Sequence, residues 1–372
     1  MTVNERSIHD YYMRMALSFA RRGTGYVSPN PRVGCVIVDF SVPGGRVVSY
    51  GYHKEYGGPH AEVNAMGAAK EPVAGMTVYV NLEPCCHTGH TAPCCDALIA
   101  GGISCVVAGV SDPDPRVSGG GSARLAAAGV KVLSPVLENE CRYINRGFIK
   151  RVTKGVPWVT IKAAISLDGD IALADGESKW ITGAPARRVV HMMRADSDVI
   201  MAGSGTVMKD DPALSVRDTD GRSPMKAIVD RNLDIPPLAG VLDGSCVIFT
   251  DTSACAKKAA ELEKRGARVV RIGTDDGGHI PPGDMLSELA AMGANYVMIE
   301  GGAGLISSFL SSGEADEIAL FEAPKLMGGG IGVTGGLLVK SMNDALPVKN
   351  LRVRRLGADL LLRGVTPCSP GL

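Results

Sequence analysis

The chain has 372 residues, which is long enough for two domains. Lysine plus arginine equals aspartate plus glutamate, at 39 each, so no basic excess points to a nucleic-acid partner or to an acidic membrane surface. No apolar run approaches the roughly 18 residues of a membrane span. The polar start lacks the pattern of a signal peptide, and ten cysteines without one favour reduced thiols and metal ligation in the cytoplasm over a disulfide framework.

The first 150 residues alternate between helical and strand patterns. Apolar residues at helical spacing follow Ser7 and end near Arg22. Strand patterns are predicted at 34–38, 47–52, 77–83, 105–110 and 130–133, and helices at 60–69, 94–100 and 138–150. This alternation predicts an α/β fold, a mixed sheet with helices on both faces.

The segment from His60 to Cys95 holds a candidate metal site. Catalytic zinc needs three nitrogen or sulfur ligands and an open position for water. His60 can supply one ligand, and the cysteine pairs at 85–86 and 94–95 can supply one each. Glu62 then lies where a proton shuttle is needed.

The spacing matches the zinc nucleobase-deaminase signature, H-x-E followed by P-C-x-x-C, only in part. H-A-E at 60–62 and P-C at 84–85 are intact, but Thr88 stands at the second cysteine position. The match therefore requires a loop insertion. A structural zinc site, or buried thiols that pack as small apolar groups, is the alternative.

Only one cysteine of each pair can face the metal comfortably, because adjacent helical residues point about 100° apart. Pro84 and Pro93 each precede a pair and favour a helical first turn. We select Cys85 and Cys94 as ligands, and expect Cys86 and Cys95 to pack beside the site.

A new pattern begins after the basic stretch at 150–154, so the domain boundary is predicted near residues 150–156. A second helix–strand alternation follows, with strands predicted at 158–164, 198–202, 226–230, 246–250, 268–272, 296–300, 316–322 and 358–362. Two glycine-rich turns, 203–205 and 301–304, come directly after predicted strands. A glycine turn that opens a helix can hold phosphate on its backbone amides, so this sheet edge is a candidate dinucleotide site.

These motifs together resemble the bifunctional deaminase/reductase family of riboflavin biosynthesis over nearly the whole chain. In the first half the resemblance rests on P-N-P-R-V-G-C-V-I-V, P-H-A-E-V, L-E-P-C-C-H-T-G-H-T-A-P-C-C-D and D-P-D-P-R-V. In the second half it rests on I-K-A-A-I-S-L-D-G, G-E-S-K-W-I-T, D-D-P-A-L-S-V-R and I-E-G-G. It implies a cytidine-deaminase-like three-layer domain over 1–152 and a dihydrofolate-reductase-like domain over 153–372.

The resemblance implies two reactions on pyrimidine ribotides. The first domain would deaminate 2,5-diamino-6-(5-phosphoribosylamino)pyrimidin-4(3H)-one with Zn²⁺. The second would reduce the ribosyl chain with NADPH and give 5-amino-6-(5-phosphoribitylamino)uracil. Matching motifs imply His60, Cys85 and Cys94 as zinc ligands, Glu62 as the proton shuttle, and Asn30, His87 and Asp112 as substrate contacts.

The same matching assigns positions in the reductase half. Those implied to contact NADPH are Ala164, Trp180, Thr206, Asp210, Gly302, Ala303 and Gly304. Those implied to contact the substrate are Lys162, Ser178, Thr182, Arg194, Leu214, Arg217 and Glu300. The guanidinium groups of Arg194 and Arg217 suit a phosphate, whose oxygens match the guanidinium geometry.

The chain departs from the family pattern at Cys86, which leaves an extra thiol beside the metal site. It also departs at His90 and Asp114, and we expect these two to weaken phosphate binding in the deaminase site. A nucleoside or tRNA deaminase fused to an unrelated domain, a non-catalytic metal-binding module, and a protein with one active half are the other readings. We expect a homo-oligomer, a dimer or tetramer, with no nucleic-acid or membrane partner.

Overall fold

A computed structural model describes residues 3–88, 92–114 and 118–369. The chain divides into two compact units, one up to Lys154 and one from Gly155 onward. Among the described residues no helix is both long and apolar enough to cross a bilayer.

The first unit contains one five-stranded mixed sheet in the order β2-β1-β3-β4-β5. Its strands are β1 Gly34–Asp39, β2 Arg46–Tyr52, β3 Thr77–Val80, β4 Cys105–Ala108 and β5 Lys131–Leu133. Its helices are α1 Val3–Ala20, α2 Ala61–Ala68, α3 Cys94–Ala100, α4 Gly120–Ala127, α5 Glu138–Ile144 and α6 Arg146–Lys154. Strands β3, β4 and β5 run parallel, whereas β1 is antiparallel to both of its neighbours.

Two apolar layers cover the faces of this sheet, as the alternating pattern predicts. Helices α1, α5 and α6 pack on one face, where Met13, Tyr79 and Phe148 belong to one buried cluster. Helices α2, α3 and α4 lie on the other face, where Ala65 and Leu98 belong to a second cluster. The unit is therefore a three-layer α/β domain.

The second unit is built on a nine-stranded sheet in the order β11-β10-β9-β8-β12-β6-β13-β16-β15. The strands of the unit are β6 Trp158–Ile165, β7 Asp170–Ala172, β8 Val199–Gly203, β9 Met225–Val229, β10 Cys246–Asp251, β11 Arg268–Ile272, β12 Tyr296–Ile299, β13 Glu317–Glu322, β14 Ile331–Gly332, β15 Lys349–Leu356 and β16 Asp359–Val365. Its helices are α7 Ala184–Ala195, α8 Ser204–Asp210, α9 Ala256–Lys264, α10 Pro282–Ala291 and α11 Ala303–Ser311.

The strands from β11 to β13 are parallel, and β16 and β15 complete the sheet in antiparallel orientation. Each face carries its own buried cluster, one with α7 and α9 and the other with α10 and α11. Because α8 and α11 directly follow the adjacent strands β8 and β12, both helices begin at the same sheet edge.

Two sequence predictions of local structure need correction. The predicted helix 138–150 is two helices, interrupted at Asn145, whose side chain is fully buried and bonds to both backbone polar groups of Arg32. Strand β15 was not predicted, because seven of its eight residues are exposed and four are basic, which hides the apolar alternation of a half-buried strand.

Candidate functional site

His60, Cys85 and Cys94 come together in the first unit as a potential metal site. One ligand atom from each residue lies within 4.8 Å of the other two. Among the described residues, these three form the one group of potential metal ligands this close together. His60 Nδ1 lies 3.1 Å from Cys94 Sγ and 3.5 Å from Cys85 Sγ. Tetrahedral zinc with usual bond lengths separates nitrogen and sulfur ligands by about 3.6 Å, so the donor set fits zinc.

Local secondary structure places these ligands. His60 is the N-cap residue of α2 and Cys94 is the first residue of α3. The Cys94 backbone N–H donates to Cys85 Sγ at 3.3 Å. Hydrogen bonding to Cys94, and to His60, lowers the pKa of Cys85 to about 4 although burial opposes this, and hydrogen bonding to Cys85 raises the pKa of His60. In the absence of a metal these contacts favour a thiolate at Cys85, the form that binds metal, whereas the hydrogen bond to Cys85 raises the pKa of Cys94.

The second cysteine of each pair, Cys86 and Cys95, does not belong to this cluster of potential ligands. Cys95 is fully buried, and its Sγ donates to the backbone oxygens of Pro84 and Gly121. Cys86 is half-buried and lies outside the cluster. His90, one of the departures from the family pattern, lies outside the described residues.

Glu62 is buried beside the cluster, with a side chain 3% exposed. Burial raises the pKa of its carboxyl, an effect that the charge of His60 opposes. A raised pKa makes the carboxylate a better proton acceptor than an ordinary glutamate, which suits a group that accepts and returns a proton. Glu62, His60 and Cys85 all line a cavity of about 420 Å³.

Asn30 lies on the wall of the same cavity. It is oriented by His53, which the sequence analysis did not identify as a site residue. His53 Nδ1 is 3.0 Å from the Pro59 carbonyl oxygen, to which it can only donate. Its Nε2, 3.0 Å from Asn30 Nδ2, therefore accepts from the Asn30 amide. The only signal for His53 in the sequence was its place in G-Y-H at 51–53.

His87 and Asp112 line the cavity on another side, His87 exposed and Asp112 buried. Burial raises the pKa of Asp112 to about 6. Glu83, a second residue that the sequence analysis missed, accepts backbone N–H groups from Asp112, Gly119 and Ser122 and so holds these three residues around its carboxylate. Its place before the P-C pair at 84–85 was the available signal.

The second unit has an open cavity of about 520 Å³ at the edge where α8 and α11 begin. A Cβ atom added at Gly205 or Gly304 would meet no atom within 4 Å, so both glycines face open space. Two helix N-termini beside glycines that leave room are suited to a dinucleotide pyrophosphate. The sequence-predicted positions that line the cavity are Lys162, Ala164, Ser178, Thr206, Asp210, Glu300, Gly302, Ala303 and Gly304.

Glu300 holds two cations at this cavity. Its carboxylate accepts from Arg194 Nε at 2.6 Å and Nη2 at 2.9 Å, and Lys162 Nζ lies 3.4 Å away. Burial raises the pKa of Glu300, but the charge of Lys162 and the hydrogen bonds and charge of Arg194 outweigh it and lower the pKa to about 2. Glu300 therefore stays ionised.

Five predicted positions lie outside the cavity lining, and one of them is Arg194, the partner of Glu300. Trp180 is 65% exposed, with the Arg187 guanidinium 4.6 Å from its ring centroid. Thr182 and Leu214 are buried, and Leu214 packs in the apolar cluster with α7. Arg217 is exposed on the loop between α8 and β9.

The fold and the two cavities define a class of protein: a zinc-dependent deaminase unit joined to a reductase unit that binds a dinucleotide. The model for the cytidine and deoxycytidylate deaminase zinc-binding region matches residues 6–110, and that for the RibD C-terminal domain matches residues 157–362. The RibD riboflavin biosynthesis protein of Aquifex aeolicus is 39% identical, over 96% of this chain and 98% of its own. That of Escherichia coli is 38% identical over 95% and 98%.

Solved structures agree with these sequence relatives. Acinetobacter baumannii RibD superposes with a TM-score of 0.88 at 35% identity, over 97% of this chain and 99% of its own. A deaminase/reductase of Thermotoga maritima gives a TM-score of 0.85 at 33% identity, over 98% and 100%.

This chain belongs to the RibD family. It is a bifunctional deaminase and reductase of riboflavin biosynthesis, both a hydrolase and an oxidoreductase, and its cofactors are Zn²⁺ and NADPH. The expectations of two α/β domains and of these activities are confirmed.

Proposed function

We propose that residues 1–152 deaminate 2,5-diamino-6-(5-phosphoribosylamino)pyrimidin-4(3H)-one and that residues 153–372 reduce the product to 5-amino-6-(5-phosphoribitylamino)uracil. The first assignment rests on one observation. Ligand atoms of His60, Cys85 and Cys94 lie within 4.8 Å of one another, and the buried Glu62 lies beside them. The Thermotoga maritima relative is a diaminohydroxyphosphoribosylaminopyrimidine deaminase/5-amino-6-(5-phosphoribosylamino)uracil reductase, which is the same pair of activities.

In the deaminase unit His60, Cys85 and Cys94 hold the metal and Glu62 moves protons. Zinc, when bound, supplies an activated water for attack on the amino-bearing ring carbon. Glu62 would take one proton from the attacking water and pass it to the ring nitrogen, where it stays. It would then move a second proton from the newly added hydroxyl to the amino group, which leaves as ammonia while the carbonyl forms. Burial of Glu62, which raises its pKa, suits this two-way transfer.

The substrate lies along the cavity wall formed by Asn30, His87 and Asp112. Asn30 donates through Nδ2 to His53, so its amide has one fixed orientation toward the pyrimidine. His87 is exposed at the cavity and is placed to contact the ribose phosphate. Asp112 and the Asp114 beside it keep this end of the cavity acidic.

In the reductase unit both ligands are assigned to the cavity, together with five residues that lie outside its lining. When bound, NADPH supplies the hydride that reduces the anomeric carbon of the opened sugar. Residues assigned to NADPH are Ala164, Trp180, Thr206, Asp210, Gly302, Ala303 and Gly304. Residues assigned to the ribotide are Lys162, Ser178, Thr182, Arg194, Leu214, Arg217 and Glu300. Alignment of the sugar against the nicotinamide is the main contribution of these side chains.

A split assay tests both assignments on the full-length protein. Ammonia release from the diaminopyrimidine ribotide is measured without NADPH, and NADPH oxidation is measured with the deaminated ribotide supplied. Glu62→Gln is expected to retain stoichiometric zinc and lose ammonia release by at least about 100-fold, the usual size of a general acid–base contribution. Chelation is expected to abolish ammonia release and leave NADPH oxidation intact. A fully active Glu62→Gln enzyme, or reduction that stops on chelation, contradicts the assignments.

Self-association through β15 would account for an exposed apolar edge in the second unit. This eight-residue strand lies at the end of its sheet, and Leu351 and Val353 are 52% and 59% exposed. An edge strand that pairs with its own copy about a two-fold axis is self-complementary. We expect a homo-oligomer in light scattering and a lower mass for Val353→Asp. An unchanged mass for this variant contradicts the role of β15.

We also propose a cytoplasmic location. All ten cysteines are free, and thiolate ligands persist where thiols are kept reduced. Cell fractionation with the ammonia assay as the marker tests this location, and activity outside the cytoplasmic fraction contradicts it.

A further inference from the structure

The loop between α8 and β9, residues 211–224, carries two of the proposed ribotide positions, Leu214 and Arg217. It has no regular secondary structure. Asp211, Leu214 and Asp218 have φ values of 38°, 47° and 59°. A non-glycine residue in this left-handed region is unfavourable and persists only where surrounding contacts hold it. The loop therefore needs anchors for its conformation.

Three hydrogen bonds supply anchors around Arg217. Arg194 Nη1 donates to the Ser215 carbonyl oxygen at 3.0 Å, and the Val216 N–H donates to Ser223 Oγ at 3.0 Å. The Arg217 N–H donates to His191 Nδ1 at 3.1 Å. The last bond acts directly on the residue whose guanidinium is assigned to the phosphate.

The donor in that bond fixes the tautomer of His191. A backbone N–H can only donate, so Nδ1 carries no proton and the ring proton is on Nε2. His191 is 9% exposed and lies one turn before Arg194 on α7, so one helix positions both groups on the loop. A protonated ring would present N–H at both nitrogens and could not accept from Arg217.

Charged groups around His191 come from three elements. Arg194 belongs to α7, Arg217 and Asp218 to the loop, and Glu300 to the segment after β12. Burial lowers the pKa of His191, Arg194 and Arg217 lower it further, and Asp218 and Glu300 oppose this. These surroundings therefore favour the neutral ring, which keeps its acceptor nitrogen.

We propose that His191 is a positioning residue for the reductase substrate: its neutral ring holds the Arg217 backbone so that the guanidinium meets the phosphate of the ribotide, and protonation of the ring releases it. No proton passes to the substrate. This inference rests on the proposed placement of Arg217 and adds a pH-sensitive residue that does not itself touch the ligand.

The test compares His191→Leu with His191→Asn in the full-length zinc enzyme, with deaminated ribotide and NADPH as substrates. Leucine removes the acceptor, whereas the asparagine oxygen can occupy the place of Nδ1. His191→Leu is expected to raise KM for the ribotide about tenfold, the effect of one lost hydrogen bond. Its kcat and its KM for NADPH should stay within about twofold of the wild type, and His191→Asn should restore most of the ribotide KM. Ammonia release from the first unit serves as the internal control.

A pH series separates positioning from a general structural role. The ribotide phosphate itself titrates near pH 6 and affects both enzymes equally. We therefore follow the ratio of the wild-type KM to the His191→Asn KM as a function of pH, because the phosphate titration cancels in this ratio. Because burial lowers the pKa of His191 from 6.5, the ratio is expected to rise as pH falls below that value. If His191→Leu does not fold, the ratio alone decides: it is followed down to the lowest pH at which both enzymes stay folded, and a flat ratio overturns the proposal.

Arg217→Ala separates the role of His191 from the proposed contact between Arg217 and the phosphate. If Arg217→Ala raises the ribotide KM and His191→Leu does not, the role of His191 is refuted while the proposed site stands. If Arg217→Ala leaves the ribotide KM unchanged, the phosphate assignment and the inference both fail. Equal losses of kcat in His191→Leu and His191→Asn also overturn the proposal, because they indicate a structural role.

Discussion

Glu300→Gln is the substitution whose effect on the second unit can be worked out most fully. The variant keeps the size of the side chain and removes the charge that pairs with Lys162 and Arg194. Glu300 is 7% exposed at its side chain, Arg194 12% and Lys162 16%, so water compensates little. One amide nitrogen would also face a guanidinium, which donates hydrogen bonds and accepts none.

Two estimates of the cost agree. The pKa of Glu300 is lowered from 4.5 to about 2, which corresponds to about 3 kcal/mol of stabilisation of the ionised form. Breaking a buried ion pair by removal of one partner costs about 3–5 kcal/mol. We therefore expect the free energy of unfolding of this unit to fall by about 3 kcal/mol at pH 7.

Tryptophan fluorescence in urea measures this cost in one unit. Both tryptophans of the chain, Trp158 and Trp180, belong to the second unit. With a slope of about 2 kcal/mol per molar urea, the midpoint should fall by about 1.5 M. Because the folded pKa is lowered from 4.5 to about 2, the contribution of Glu300 is fully present above pH 4.5 and is lost as pH falls toward 2. The difference from wild type should therefore shrink below pH 4.

Glu263→Gln is the matched control, because Glu263 is exposed on α9 and should change stability by less than about 0.5 kcal/mol. A Glu300→Gln midpoint equal to wild type at pH 7 would refute the reasoning. So would a difference of the same size at pH 3 as at pH 7, because the charge would then not be its source.

Two predictions concern the first unit. A Cβ at Gly34 would lie 2.1 Å from the Ala16 oxygen and 2.5 Å from the Ala20 nitrogen of α1, so Gly34→Ala should cost about 1–3 kcal/mol. Thermal unfolding checks this against Gly67→Ala, whose Cβ meets nothing within 4 Å on α2 and which should stabilise by up to about 1 kcal/mol. Burial raises the pKa of Asp112 to about 6, so its contribution to stability is full below about pH 4 and lost as pH rises through 6. Calorimetry at pH 4 and 7 should show a smaller pH dependence for Asp112→Asn, and an equal dependence would contradict this cause.

The order and type of most elements could be predicted from local patterns. The strand predicted at 34–38 is β1, Gly34–Asp39, and the helix predicted at 94–100 is α3, Cys94–Ala100. Such segments have one buried face whose period is visible in the sequence. Strand β15 could not be predicted this way because its side chains are exposed, and backbone pairing with β16 determines its conformation.

Where a predicted helix or strand is interrupted, the cause is a contact with a residue that is distant in the sequence. The strand predicted at 77–83 ends at Val80, because the Asn81 side chain accepts from the Gly34 N–H and donates to the Arg32 oxygen. Asn145, 113 positions from Arg32, divides the last helix of this unit in the same way. No local pattern contains these partners.

The sequence by itself determined which reactive groups this protein carries: nitrogen and sulfur donors at His60, Cys85 and Cys94, a carboxyl group at Glu62, and glycine turns before α8 and α11. Those features are local, and residue type and spacing carry them. The tertiary structure decided which side chains contact the predicted site residues: His53 accepts from the Asn30 amide, and His191 accepts from the Arg217 backbone N–H. These contacts join segments more than 20 residues apart, so their geometry exists only once the chain has folded.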